Sequence, residues 1–481
     1  MEQSGFIVGI DLGTSKIVGL LARRNEQGVV SVLASETIPS DSSVRHGVVY
    51  NIEETAGKVK RLIQLLENKT GKKIAKAYFS IAGKSLESVA HTETVALPSD
   101  TAITIGMIDN LERKAKEYQP ENYDTNYGVV SPQIFLDGEA VDDFEGKTAS
   151  LLEGKFQIIT GRPNIKHNIR VVAEKVGIEI AGLVIGPITA SALILGQEEK
   201  KSGCALVDFG AGTTSLSIYK DGLLKFFKVI PFGGRTVTKD IQALGFVDST
   251  AEDFKIRYGK IGKDRNKNIV EDRAGSGIDV KELNKVIQLR YEEIILNVIN
   301  QIEESGCEDK LGGGLILTGG ASQQNGLESF LAEKVKYTIK KASPNRVLIN
   351  NVSDLVQNPA YSNSLSLLLF ANVNCEKQET KTVQATTAPE PVAEPPLPVQ
   401  PTAQTQPVQT TQPAVAQPVA APEPIKTPSV ATVADPKPET PEKPAYETVE
   451  QLRKDDKPKE KKPSILDKFK KGLTGIFEHE E

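Results

Sequence analysis

Two aspartates stand in matching settings. Asp11 lies in Gly9-Ile10-Asp11-Leu12-Gly13 and Asp208 in Leu206-Val207-Asp208-Phe209-Gly210, 197 positions later. Each ends a short apolar run, so each falls at the carboxyl edge of an expected strand, where open α/β sheets bind ligands. Small and hydroxyl residues follow: Gly13, Thr14 and Ser15 in one case, Gly210, Ala211, Gly212, Thr213 and Thr214 in the other. Such turns offer backbone N–H groups with little bulk and cradle phosphates. Lys16 adds a point charge suited to β- and γ-phosphate oxygens. Two carboxylates from opposite halves suit a hydrated Mg²⁺, held at Asp11 and Asp208 through water, because that ion takes hard oxygens and keeps its waters. Either Asp-Gly alone is also an ordinary strand-to-turn junction. The duplication favours the ligand reading.

Further pieces stand where a nucleotide needs them. Leu317-Thr318-Gly319-Gly320-Ala321-Ser322 follows a strand pattern, and Gly319, Gly320 and Ala321 allow a flat base and ribose to come close. Gly233, Gly234 and Arg235 precede a helix and give a second backbone surface. Glu252 and Lys255 lie three apart on an expected helix and share a face. They can grip ribose hydroxyls and the base edge, or form a plain surface ion pair. Gly83-Lys84-Ser85 mimics the end of a P-loop, but Tyr78 stands where the earlier glycine belongs. Gly210-x-Gly212 mimics a dinucleotide fingerprint, but Ser215 replaces its third glycine. No general base stands out, so catalytic residues stay unassigned.

These residues need two similar sheets to carry them. Strand patterns cover 6–10, 17–21 and 29–35, and a helix over 53–66 places Val59, Leu62, Ile63 and Leu66 on one face. A strand follows at 77–81. Residues 84–166 give a mixed signal, with a helix at 107–118 and strands near 128–136 and 156–160. A helix at 169–176, a strand at 183–185 and a small-residue helix at 189–195 complete the first half. The opening pattern then returns as strands 205–207, 214–219 and 224–230. A long amphipathic helix at 280–304, a strand at 315–317 and a helix at 326–335 follow. Duplicated strand–Asp–x–Gly–hairpin units imply two similar α/β halves facing each other.

Composition sets the limits. The 481 residues allow two to four packing units. A formal net charge of −5 argues against a protein built to hold nucleic acid. Three cysteines (Cys204, Cys307, Cys375) without CxxC spacing indicate neither a zinc site nor a disulfide framework, which fits a reducing cytoplasm. No run of about 18 apolar residues predicts a membrane span, and no signal-peptide pattern opens the chain.

Of 27 prolines, 18 fall between residues 389 and 463, a stretch without glycine. It cannot bury enough apolar surface to offset chain entropy, so 379–462 reads as a disordered tether of roughly 50 Å or more. Beyond it, Ile465, Leu466, Phe469, Leu473, Ile476 and Phe477 fall within an arc of about 120° on a helix. Lys468, Lys470 and Lys471 flank or oppose that arc. Ser464 and Asp467 form a capping-box pattern. Gly472 and Gly475 make the helix marginal in water. Residues 463–481 therefore read as a helix that folds on anionic membrane lipids, with docking on a partner protein as the other reading.

Taken together, the two Asp-x-Gly turns, the Leu317–Ser322 motif and the small-residue stretches 187–193 and 358–362 resemble the actin-like ATPase superfamily. Within it, residues 5–375 are similar to the FtsA family of bacterial cell division proteins. The likeness is carried by 9–16, by Gly47-Val48-Val49-Tyr50-Asn51-Ile52, and by Ala251-Glu252-Asp253-Phe254-Lys255 followed by Tyr258-Gly259. This implies a two-lobed actin-like fold with ATP and Mg²⁺ in the interlobe cleft. Its subdomains would be 1A (1–84 and 167–198), an inserted 1C (85–166), 2A (199–245 and 308–378) and 2B (246–307). It also implies actin-like self-assembly, docking of the FtsZ C-terminal peptide on 2B, and contact of 1C with later division proteins. The place would be the cytoplasmic side of the cell membrane at the division site. Where many superfamily members carry an acid before Pro187, this chain has Gly186, which puts rapid hydrolysis in doubt. A related pilus-assembly protein is the nearest alternative reading. A small-molecule kinase would have no use for the tether and tail, and a heat-shock chaperone would carry a folded β domain in place of the tether.

Overall fold

The computed structural model describes residues 5–120, 124–262, 269–271, 275, 277–351 and 353–377. The expected tether 379–462 and tail 463–481 lie outside the described residues. Among the described residues, no helix is long and apolar enough to cross a membrane.

The duplication read in the sequence is a duplication of topology. In the first half the strand order is Glu179–Ile185, Lys76–Ile81, Ile7–Leu12, Lys16–Arg24, Val30–Pro39, with Ile349–Asn350 at the edge. In the second it is Ile339–Lys341, Leu315–Thr318, Cys204–Phe209, Thr214–Lys220, Leu223–Ile230. Each half sets an antiparallel meander beside two parallel strands. The register repeats as well. Ile7 faces Ala22 and Cys204 faces Tyr219, so both partners move by the same 197 positions.

Burial explains why the central strands are nearly all apolar. Along Cys204–Phe209, Cys204 and Leu206 join the core shared with the first half, while Ala205, Val207 and Phe209 join the core of the second. A strand covered on both faces needs apolar residues at every position. The helix Ile52–Thr70 buries Val59, Leu62, Ile63 and Leu66 on the first sheet. Asn51 caps its start by accepting from the Glu54 N–H, and Gly71 ends it in the left-handed region. This helix is longer than its apolar stripe because polar caps, not core contacts, set its ends.

Residues 84–166 depart most from the sequence pattern. The structure adds a 16-residue strand, Glu87–Ala102, paired along Thr148–Gly161, which in turn pairs with Thr125–Leu136. A separate core of Ile108, Leu111, Ile134, Leu152, Phe156 and Ile158 holds the helix Ile105–Glu117 against them. This sheet joins the second half edge to edge, with Glu87 opposite Lys228. The Phe227 N–H donates to Ser88 Oγ (2.8 Å) and the Val229 N–H to the Leu86 carbonyl (3.1 Å).

Two short helices cross between the halves, Gly186–Ile194 and Ser362–Phe370. Small residues and hydroxyls let them pack closely. Thr189 Oγ1 meets Ser366 Oγ at 3.0 Å, and Ser366 donates to the Asn363 carbonyl at 3.0 Å. Pro187 at the start of the first helix costs nothing, because its missing N–H has no intrahelical partner there.

Candidate functional site

The two meanders point their first turns at one cavity of about 480 Å³. Asp11 and Asp208 both line it, each on the first strand of its meander. Ser364 donates to Asp11 Oδ2 (2.7 Å), and Asn363 Nδ2 donates to Asp208 Oδ2 (2.8 Å). Burial pushes Asp208 up to about 6, opposed by the Asn363 bond and reinforced by the Asp11 charge. Burial also raises Asp11, against the hydroxyls of Ser364 and Ser80 and the nearby Lys16. Both carboxylates are costly to ionise without a cation beside them.

The turns after each aspartate are equivalent in detail. A Cβ on Gly13 would lie 2.6 Å from the Lys16 carbonyl oxygen, and one on Gly210 would lie 2.8 Å from that of Thr213. Only glycine fits either turn. The two turns also touch, since a Cβ on Gly212 would lie 2.5 Å from Thr14 Oγ1. The segment before Asn51 links them: the Gly47 N–H donates to Thr14 Oγ1 (3.0 Å), and His46 Nδ1 lies 2.8 Å from the Gly212 carbonyl. A carbonyl only accepts, so Nδ1 of His46 carries the proton. Lys16 Nζ lies 3.2 Å from the centre of the Tyr361 ring, and burial lowers its pKa.

At the other end, Glu252 and Lys255 sit on the helix Asp248–Arg257 and pair at 2.7 Å. This is no surface pair. Lys255 is 7% exposed and also donates to the Gly234 carbonyl (3.0 Å) and Thr238 Oγ1 (2.9 Å). Burial lowers its pKa, opposed by Glu252. Ile256, Gly320, Ala321, Gln323 and Gln324 form the adjoining wall. Tyr291 fixes that wall by donating to the Ala321 carbonyl at 2.7 Å. Gly319 is held at φ +87, and a Cβ there would lie 2.2 Å from Asp208 Oδ1.

The cavity is lined by Asp11, Gly13, Thr14, Ser15 and Lys16 from the first turn and by Asp208, Gly210, Gly212 and Thr213 from the second. Gly234, Arg235, Glu252, Lys255, Gly319, Gly320 and Ala321 complete the residues expected there. Thr214 and Gly233 do not line it. Thr214 is fully buried and donates to the Phe232 carbonyl (2.9 Å), and Gly233 packs against the carbonyls of Gly210 and Ala211. Among the described residues, no group of three or more His, Cys, Asp or Glu converges as a metal cluster.

Sequence reasoning missed Asn363, Ser364 and Gly47. Asn363 and Ser364 follow directly on the 358–362 stretch, so extending that motif by two residues would have found them. Gly47 carries the likeness to a family without any chemistry of its own, and only its approach to Thr14 reveals its place.

The profile of the family described as Cell division protein FtsA matches residues 205–366. The chain is 30% identical to Cell division protein FtsA of Pseudomonas aeruginosa over 378 residues, covering 76% of this chain and 90% of that one. It is 30% identical to Cell division protein FtsA of Porphyromonas gingivalis over 355 residues, covering 71% and 73%. Among solved structures, it resembles a chain of a PilM-PilN type IV pilus biogenesis complex with a TM-score of 0.55 and 17% identity, over 76% of this chain and 97% of that one. Duplicated meanders, paired aspartates and these similarities agree: the chain belongs to the FtsA family of actin-like cell division proteins.

Proposed function

We propose that the cavity binds ATP with Mg²⁺, that the chain assembles into an actin-like filament, and that it tethers FtsZ filaments to the cytoplasmic face of the membrane at the division site. One observation carries the nucleotide reading: two aspartates at equivalent strand ends meet at one cavity, each followed by a glycine turn too tight for a side chain. Phosphates would lie between the two turns, near Lys16, with the base against Gly319 and Gly320. Glu252 and Lys255 would face the ribose and base.

The residues fit a hydrated Mg²⁺. Asp11 and Asp208 are raised by burial, and a cation would relieve both. Asn363 Oδ1 is buried with no hydrogen-bond partner among the described residues, so a metal-bound water would find an acceptor there. When bound, the ion would supply charge neutralisation at the β- and γ-phosphates. The protein's residues would orient it and exclude bulk water. Turnover should be slow. A Cβ at Gly186 would lie 2.8 Å from Ser80 Oγ, which leaves little room for an acid there.

The remaining parts of the reading rest on family membership and sequence. Subdomains 1A (1–84 and 167–198), 1C (85–166), 2A (199–245 and 308–378) and 2B (246–307) follow from the resemblance. The separate core within 85–166 supports the inserted unit, which would contact later division proteins. Exposed Val247, Ile269 and Leu289 on 246–307 suit an apolar peptide such as the FtsZ C-terminus. Residues 463–481 would anchor the assembly on anionic lipids, and avidity along a filament would offset weak binding by one tail. Calorimetric titration of ATP with Mg²⁺ tests the first part. An absence of binding would remove it.

A further inference from the structure

Four consecutive residues, Tyr361 to Ser364, each contact a residue that lines the cavity or lies on a strand leading to it. The Tyr361 ring lies under Lys16 Nζ. Ser362 Oγ meets Thr318 Oγ1 at 2.9 Å, on the strand that leads to Gly319. Asn363 donates to Asp208, and Ser364 donates to Asp11. One short segment at the start of the helix Ser362–Phe370 thus holds the acid of each half.

We infer that Asn363 is a positioning residue for the water shell of the bound metal, holding Asp208 with its amide N–H and a metal-bound water with its Oδ1. The inference rests on the nucleotide reading above. Asn363 lines the cavity, and its Oδ1 is buried without a partner among the described residues. A buried unmet acceptor is costly and rare, and it marks a place for water or an ion. The opposite amide orientation would turn Oδ1 onto the Asp208 carboxylate, so the hydrogen bond fixes which atom is left over. A water on a cation gives its lone pair to the metal and has only protons to offer outward. It therefore needs acceptors, and Asp11, Asp208 and Asn363 Oδ1 provide them. An amide suits the third place because it adds an acceptor without adding a third negative charge.

The test is ATP titration by calorimetry on the full chain, once with Mg²⁺ and once with EDTA. Loss of an outer-shell partner commonly weakens metal binding by 10–100-fold. Asn363→Ala should therefore cut the Mg²⁺-dependent gain in ATP affinity by about tenfold or more, while affinity in EDTA changes less than about twofold. Asn363→Leu, which is of similar size but offers no acceptor, should lose the gain in the same way, and it decides the matter alone if the alanine variant does not fold. An unchanged gain in Asn363→Ala, or equal losses in both buffers, would overturn the inference, as would a retained gain in Asn363→Leu. If the parent binds no ATP in either buffer, the nucleotide reading itself falls and takes this one with it.

Discussion

Replacing Asp208 by Asn should make the metal-free protein more stable while removing its response to Mg²⁺ and ATP. Asp208 is 6% exposed, and burial raises its pKa from an ordinary 3.8 to about 6. One pH unit of difference between folded and unfolded pKa is worth about 1.4 kcal/mol, so the ionised form costs the fold about 3 kcal/mol at neutral pH. The sign follows from proton binding. Between the two pKa values the folded state holds the proton more tightly than the unfolded chain, so stability falls as pH rises through that window. Below pH 3.8 the group is neutral in both states and the cost vanishes; above pH 6 it is fully present. An Asn at 208 can still accept from Asn363 but brings an N–H that needs its own partner, which offsets part of the gain. A folded body of roughly 370 residues carries an unfolding entropy of about 2 cal/mol/K per residue. Relief of up to about 3 kcal/mol then corresponds to a Tm rise of roughly 2–4 °C. The assay is thermal unfolding of nucleotide-stripped protein in EDTA from pH 4 to pH 8. The rise should be full above pH 6 and fade toward pH 4. With Mg²⁺ and ATP added, the parent should gain stability and the variant should not. A Tm that falls at pH 7.5, or a rise equally large at pH 4, would refute the reasoning.

Three other outcomes follow from the same geometry. Gly319→Ala forces a Cβ to 2.2 Å from Asp208 Oδ1 at a φ of +87, so it should cost about 2 kcal/mol or more by denaturant unfolding and weaken ATP binding at least about tenfold. Lys255→Met removes the ammonium that holds the Gly234 carbonyl, Thr238 and Glu252, and calorimetry should show about tenfold weaker ATP binding. Its stability loss should stay near 1–3 kcal/mol, at the lower end because Glu252 is 37% exposed. Phe469→Glu puts a charge into the apolar arc of the tail and should free the protein from anionic vesicles in sedimentation without shifting the Tm of the body.

The paired aspartates were legible because a duplicated motif repeats both residue type and spacing, and the sheets repeat it down to register. Lys255 was legible as a site residue only by its spacing to Glu252. Its burial, which turns an ordinary-looking pair into part of the cavity wall, depends on Gly234 and Thr238 from another helix. Asn363 and Ser364 were hidden for a similar reason. They lie in a serine- and leucine-rich helix, and their role arises where that helix crosses between the two halves. The strand Glu87–Ala102 escaped because its two faces differ little in hydropathy. Its more buried face sets His91 and Glu93 between Val89 and Val95, while Ala90 and Ala96 lie on the exposed face. His91 and Glu93 meet each other at 2.7 Å, a pairing that a hydropathy pattern does not register. The partner strand Thr148–Gly161 supplies large apolar side chains, Leu152, Phe156 and Ile158, for the core of that sheet.

The most direct test of the whole account is sedimentation of FtsZ filaments with anionic vesicles in the presence of this protein, Mg²⁺ and ATP. FtsZ should pellet with the vesicles when the full chain is present. It should stay in the supernatant when residues 463–481 are deleted or when Asp208→Asn replaces the parent. FtsZ that fails to pellet with the full chain, or pellets equally well with the deleted one, would contradict the account.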